Sequence, residues 1–142
     1  MKCKIINSYY DENSGFSTVT IQNKRGQYSG NTLLREEDKK YESRYAGCRY
    51  AELKAYINMI KAEIKELKIQ LDAFEKFYKN LQMAKAFNEK SYEAKRLRGK
   101  IFELKNKIKE RTELKDSIHN TLLNAINGRD QEIKEFYSKI NK

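Results

Sequence analysis

From Leu53 to Leu81, apolar side chains return every three or four residues. Leu53, Ile57, Ile60, Ile64, Leu67, Leu71, Phe74, Tyr78 and Leu81 fall at alternating steps of four and three. Such an a/d seam, held over about four heptads, requires a long helix that presents one narrow stripe to a partner helix. The chain contains no proline, so the commonest cause of an early stop is missing. The spacing predicts a helix over residues 48–87. "FNEKS", residues 87–91, then offers a turn, with Asn88 and Ser91 as alternative N-caps for a second helix.

In that second helix Leu97, Ile101, Leu104 and Ile108 keep the same spacing. The register then slips. Arg111 and Lys115 occupy seam positions, and Leu114, Ile118, Leu122 and Ile126 restart the stripe in steps of four. A slip of this kind unwinds a coiled coil locally or marks where the partner surface changes. Gly128, in "INGRD", is predicted to end the helix. Asp130 would cap a last short helix with Ile133, Phe136, Tyr137 and Ile140 on its apolar face.

The first third reads differently. "KCKII" and "FSTVTIQ" are β-branched and aromatic runs separated by "DENSG", whose Asn13, Ser14 and Gly15 suit a turn. "NKRGQ" is a second turn signal, and "YSG" follows as a short third strand. Alternation puts Ser17, Val19 and Ile21 on one face of the middle strand and Phe16, Thr18 and Thr20 on the other. Neither face is strongly apolar, so the meander must lean on a helix or another chain. A short helix is predicted within "LREEDKKYESRY", residues 34–45. These elements predict an α+β fold: a small N-terminal antiparallel β meander and connector over residues 1–47, packed on a long antiparallel α-helical hairpin over residues 48–142. The whole is expected to form one structural domain. A bare hairpin buries little surface for its length, so a homo-oligomer, a dimer or larger, is also expected.

With 39% hydrophobic and 35% charged residues, the chain cannot build a thick core and suits helices that bury one stripe. The formal net charge of +10 points to an anionic partner such as nucleic acid, nucleotide or phosphate. A lysine-rich composition accounts for it equally well. Cys3 and Cys48 lie far apart and His119 is the sole histidine, which leaves no ligand cluster of metal-site spacing. No apolar run is long enough to span a membrane and no signal peptide follows Met1, so a cytoplasmic protein is expected. Phosphate-binding, nucleophile-elbow and zinc-protease motifs are all missing. The cluster Glu36, Glu37 and Asp38 is read as helix-entry charge. The sequence therefore predicts neither an enzyme nor a cofactor.

Binding chemistry is more visible. In "SRYAGCRYAELKAY", residues 43–56, Gly47 allows close backbone approach. Cys48 and Arg49 would stand in a first helical turn whose free N–H groups favour phosphate. Tyr41, Tyr45 and Tyr50 would stack on a base or fill a subunit contact. The alternative reading pairs Arg49 with Glu42 or Glu52 and uses the tyrosines to anchor the meander. "KRLRGK", residues 95–100, is either a solvated face or an anion site. Phe102 falls one step off the Ile101–Leu104 seam and wants a second neighbour, a subunit or a flat ligand. Arg129 stands beside the expected helix break. Arg25 belongs to "NKRGQYSGN", residues 23–31, where a closing lid would be sought. An arginine for phosphate and a ring for the base are what a nucleotide needs.

The order of elements also resembles a known family. The meander leads to "SGNTLL", then the acidic "REEDKKYES", then "GCRYAELKA", a Gly-Cys-Arg entering an Ala-Glu-x-x-Ala helix. Over residues 16–55 this resembles the phage anti-Thoeris sponge family, type one. The resemblance implies a protein that sequesters a cyclic ADP-ribose isomer without cleaving it and so keeps a Thoeris effector silent. Some members of that family also hold cyclic oligonucleotides at separate sites in a hexameric assembly, and the resemblance implies pockets built between subunits from arginines, an aromatic and small polar residues. Gly47, Cys48, Arg49, Ala51, Glu52 and Ala55 fall on the motif. Competing expectations are a basic coiled coil that binds nucleic acid or builds phage structure, and an inhibitor that acts on a CRISPR nuclease by protein contact.

Overall fold

The computed structural model describes residues 3–33 and 44–140. Its elements are β1 (Lys4–Asp11), β2 (Phe16–Asn23), β3 (Gly26–Leu33), α1 (Arg44–Gln82) and α2 (Tyr92–Ile140). The α+β class predicted above is what forms: a three-stranded antiparallel sheet in the order β1-β2-β3, followed by two long helices. The connector helix expected over residues 34–45 and the acidic cluster fall on residues 34–43, outside the described residues, except that Arg44 and Tyr45 open α1.

Local chemistry fixes both hairpin turns. After β1, the Asp11 carboxylate accepts the Ser14 hydroxyl at 2.8 Å and the Asn13 N–H at 3.0 Å. Gly15 closes the turn with φ 73°, its N–H donating to the Asp11 carbonyl at 2.8 Å; that left-handed conformation favours glycine. The hydrogen bonds from Ser14 and then Asn13 hold the Asp11 carboxyl below its usual range. After β2, the side-chain oxygen of Asn23 accepts the N–H groups of Arg25 and Gly26 at 2.8 and 3.1 Å. The third strand is longer than "YSG". It pairs with β2 from Gly26 to Leu33, because each residue of an eight-residue central strand carries backbone groups that need partners.

Of the two faces of β2, the one with Ser17, Val19 and Ile21 is buried. It packs on α1, where Gly47, Ala51, Ala55 and Met59, spaced four apart, form a flat stripe. Ala51, Ala55 and Met59 have no exposed surface. Gly30 of β3 lies directly on the helix backbone: a Cβ there would collide with the Ala51 carbonyl oxygen and come within 2.5 Å of the Ala55 nitrogen. The first turns of α1 therefore belong with the sheet, and a division after residue 47 does not describe the packing. One compact unit comprises residues 1–59 and 115–142, and a second comprises residues 60–114.

In the first unit, Leu53 and Ile57 pack against Leu122, with Tyr50, Ile118 and Ile126 around them. The second unit is the rest of the hairpin with its turn. Ile60, Ile64, Ala94 and Leu104 are buried there, and the other seam residues from Leu67 to Leu81 are half-buried. Ser91, one of the two caps expected, accepts the Ala94 N–H at 3.2 Å and starts α2. The predicted register slip coincides with the boundary between the units at Leu114 and Lys115. Arg111, at a seam position, reaches across to Glu63 at 3.2 Å.

Two helix ends differ from expectation. α1 stops at Gln82 rather than residue 87, and α2 runs through Gly128 to Ile140 without a break, so there is no separate C-terminal helix. A single glycine in a helix interior costs only about 1 kcal/mol, which neighbouring turns can absorb. Ile133 beyond it is buried. Nothing lies within 4 Å of a Cβ built on Gly128 or on Gly99. Gly128→Ala and Gly99→Ala are each expected to raise stability by about 0.5–1 kcal/mol, measurable as a higher urea midpoint with an unchanged slope.

Candidate functional site

Arg44 opens α1, so Cys48 and Arg49 lie inside the helix, past its first turn. In an α-helix their N–H groups turn back to the carbonyls of residues 44 and 45, and they are not the free donors expected from the sequence. Gly47 faces β2: a Cβ there would collide with the Ser17 hydroxyl oxygen, with the Ser17 Cβ next at 3.4 Å. The Thr32 hydroxyl donates to the Gly47 carbonyl at 3.2 Å. Gly47 is thus occupied by sheet packing. Ser17 is fully buried, and its oxygen has no hydrogen-bond partner among the described residues.

This contact makes a direct prediction. Gly47→Ala should cost about 1–3 kcal/mol by overpacking, although alanine favours helix. Ser17→Ala removes the colliding atom, so the double variant should recover most of that loss. Thermal unfolding of the four-member cycle reads the coupling, and independent effects would place the helix farther from β2.

Arg49 pairs with Glu52 at 3.4 Å, the arrangement the alternative reading anticipated. An exposed pair of this kind contributes little to stability. The Ser8 hydroxyl lies 3.7 Å from the Cys48 sulfur. The Tyr50 hydroxyl donates to the Ala125 carbonyl at 3.1 Å. Burial raises the pKa of Tyr50, and the charge of nearby Arg129 partly opposes that shift. Tyr50 and Arg129 are thus brought together, and Arg129 also pairs with Glu132 at 3.7 Å. Arg25 belongs to the two-residue turn that ends β2, whereas Gly47 meets Ser17 near the start of that strand. The sheet therefore separates Arg25 from Arg49, and the loop expected as a lid is a tight hairpin. Sequence reasoning missed Tyr56, whose pKa is raised by burial and by contacts with Cys3 and Glu52.

Phe102 lies in the second unit, 68% exposed. It lines a groove of about 540 Å³ together with Tyr78, Lys79, Arg98, Lys105 and Glu75. The Arg98 guanidinium makes two hydrogen bonds: one nitrogen donates to the Tyr78 hydroxyl at 3.1 Å and another to the Glu89 carbonyl at 2.8 Å. Tyr78 is itself set edge-on against Phe87, with centroids 6.2 Å apart at 83°. Lys105 pairs with Glu75 at 3.9 Å. The groove thus combines an exposed ring, a guanidinium fixed in place and further lysines, a donor set suited to a planar anionic ligand. Arg98 was visible in the sequence only within a basic run. Its position one turn before Phe102, at i and i+4, is the signal that links the two.

Among the described residues, no three His, Cys, Asp or Glu side chains come together to hold a metal, and no helix is long and apolar enough to cross a membrane. No family model, characterised protein or solved structure matches the chain. Fold and groove together define a class, a helical hairpin carrying a small antiparallel sheet and a cationic, aromatic groove.

Proposed function

We propose that this protein binds a cyclic ADP-ribose isomer and sequesters it uncleaved, acting as a sponge that keeps a Thoeris effector silent. The observation that carries this reading is the groove in which exposed Phe102 stands beside the fixed guanidinium of Arg98. The ring offers a face to the base, and Arg98 with Lys79 answers the phosphates. A volume of about 540 Å³ lies within the range of small-ligand sites. Capture without turnover needs tight binding and pre-organised side chains rather than acid–base machinery, and the bonds to Tyr78 and Glu89 limit the freedom Arg98 has to lose. The resemblance across residues 16–55 supplies the ligand class.

The test is depletion. Purified protein is mixed with cyclic ADP-ribose isomers and cyclic oligonucleotides, removed by filtration, and then heated. Loss of one cyclic ADP-ribose isomer from the filtrate, and its intact return on heating, is the expected result. Recovery of a hydrolysed product would make the protein an enzyme, and no depletion would end this reading.

A second reading rests on Lys61, Lys65 and Lys68, which line a shallow groove with Ile64, Ile69 and Asp72 on α1. A lysine face of this kind suits a nucleic-acid backbone. It predicts binding to long polymers that weakens steeply with salt, whereas the sponge predicts indifference to DNA.

A further inference from the structure

The two edges of the sheet are treated differently. The β3 edge is closed by α1: Lys54 donates to the Asn31 carbonyl at 3.2 Å and Asn58 to the Ser29 carbonyl at 2.8 Å. The β1 edge has no further strand among the described residues. It also displays apolar side chains, with Ile5 49%, Ile6 39% and Tyr9 51% exposed. Long apolar edges invite pairing with another chain, and most proteins blunt them.

The sequence of β1, KIINSYYD, is chemically complementary to its own reverse. Laid antiparallel on a second copy, with Ile6 as the unpaired bulge residue, Lys4 meets Asp11 and Ile5 meets Tyr10. Opposite charges and aromatic–β-branched pairs are the favourable cross-strand combinations.

Phase is the obstacle, and the fold removes it. Two copies related by a twofold axis normal to the sheet must pair residues of the same face. In a regular strand, Lys4 and Asp11 would lie on opposite faces. Here β1 carries a bulge between Ile5 and Asn7, and the extra residue shifts the phase by one. Lys4 and Asp11 pair with Gln22 and Phe16 of β2, both on the outer face, while Ile5 and Ser8 pair with Ile21 and Val19 on the α1 face. With the bulge included, Ser8 falls on the axis opposite its own copy, and Asn7 faces Tyr9 of the second copy. Ladder alternation from the Asn23–Gly26 closing pair turns the N–H and C=O of Ser8 away from β2, towards that axis.

We infer that β1 is the docking edge for a second copy of this chain, joining two three-stranded sheets into one continuous six-stranded antiparallel sheet centred on Ser8. The bulge, which in an isolated edge strand would discourage pairing, here sets the register. A β1 junction leaves the groove around Phe102 unused, so this inference stands or falls independently of the ligand reading.

Light scattering on the full chain across a dilution series is expected to show a dimer. Lys4→Glu replaces two attractive end pairs with repulsive ones and should weaken the dimer about tenfold, with unfolding of the isolated chain little changed. Register is read by cross-linking in a Cys3→Ser, Cys48→Ser background. Asn7→Cys and Tyr9→Cys chains, mixed and oxidised, should form a disulfide-linked heterodimer, and neither chain alone should do so. A monomer throughout the series overturns the proposal. A dimer that persists without the mixed cross-link also overturns it, because a different surface would then be responsible.

Discussion

Gly30→Ala is expected to lower the stability of the folded chain by about 3 kcal/mol or more, roughly a 10 °C drop in Tm for a chain of this size. The cause lies in which atoms would meet. The new methyl would strike the Ala51 carbonyl oxygen, with the Ala55 nitrogen at 2.5 Å and the Lys54 Cβ at 2.8 Å. The oxygen and nitrogen belong to the helix backbone, so no rotamer change relieves the collision. Either β3 leaves α1 or the helix moves as a body, and both separate Val19 and Ile21 from the fully buried stripe of Ala51, Ala55 and Met59. Gly47→Ala differs in kind because its collision is with a side chain that a second substitution can remove. Gly26→Ala is the control: its nearest neighbour is the Tyr28 hydroxyl at 4.0 Å, so a change within about 0.5 kcal/mol is expected. Urea unfolding of the three variants ranks them, and Gly30→Ala at wild-type stability would mean that sheet and helix are not in backbone contact.

The same atoms explain how far the sequence could be read. The seam from Leu53 to Leu81 was legible because a heptad pattern admits one structural solution, and each of its residues is buried or half-buried. The slip at Arg111 was also legible, and it marks the junction of the two compact units. Gly47 was not. A glycine near a helix start looks the same whether a ligand or a strand approaches it. What decides is the second glycine, Gly30, and the small residues repeating at four-residue steps after Gly47, a stripe that points to a flat partner. Gly128 misled for the opposite reason: a C-cap glycine and a tolerated interior glycine are identical in sequence, and the buried Ile133 beyond it keeps the helix going. Phe102 stood out as an off-seam aromatic, and its ring is exposed. Its groove neighbour Arg98 did not, because the bonds that make it more than a solvated cation run to Tyr78 and Glu89, outside its own helix.

Removing either member of that pair should reduce ligand capture far more than it reduces stability. Phe102→Ala deletes a ring that is 68% exposed, so its folding cost should stay within about 0.5 kcal/mol. The lost stacking, about 1–3 kcal/mol per base, should weaken binding of the cyclic ADP-ribose isomer roughly 5- to 150-fold. On the proposed function, Arg98→Ala would remove a charge-assisted phosphate contact of about 1.5–3 kcal/mol, a loss of roughly 10- to 150-fold. It also frees the Tyr78 hydroxyl and Glu89 carbonyl, so a stability cost of about 1 kcal/mol accompanies it. Arg98→Lys separates charge from geometry: the ammonium keeps the sign but cannot reproduce a guanidinium fork, so only partial recovery is expected. Arg49→Ala decides between the two candidate regions, because Arg49 is already engaged by Glu52 and lies in the other unit. Titration calorimetry should find its affinity unchanged. Full loss in Arg49→Ala with full retention in Phe102→Ala would move the ligand from the hairpin groove to the helix start beside the sheet.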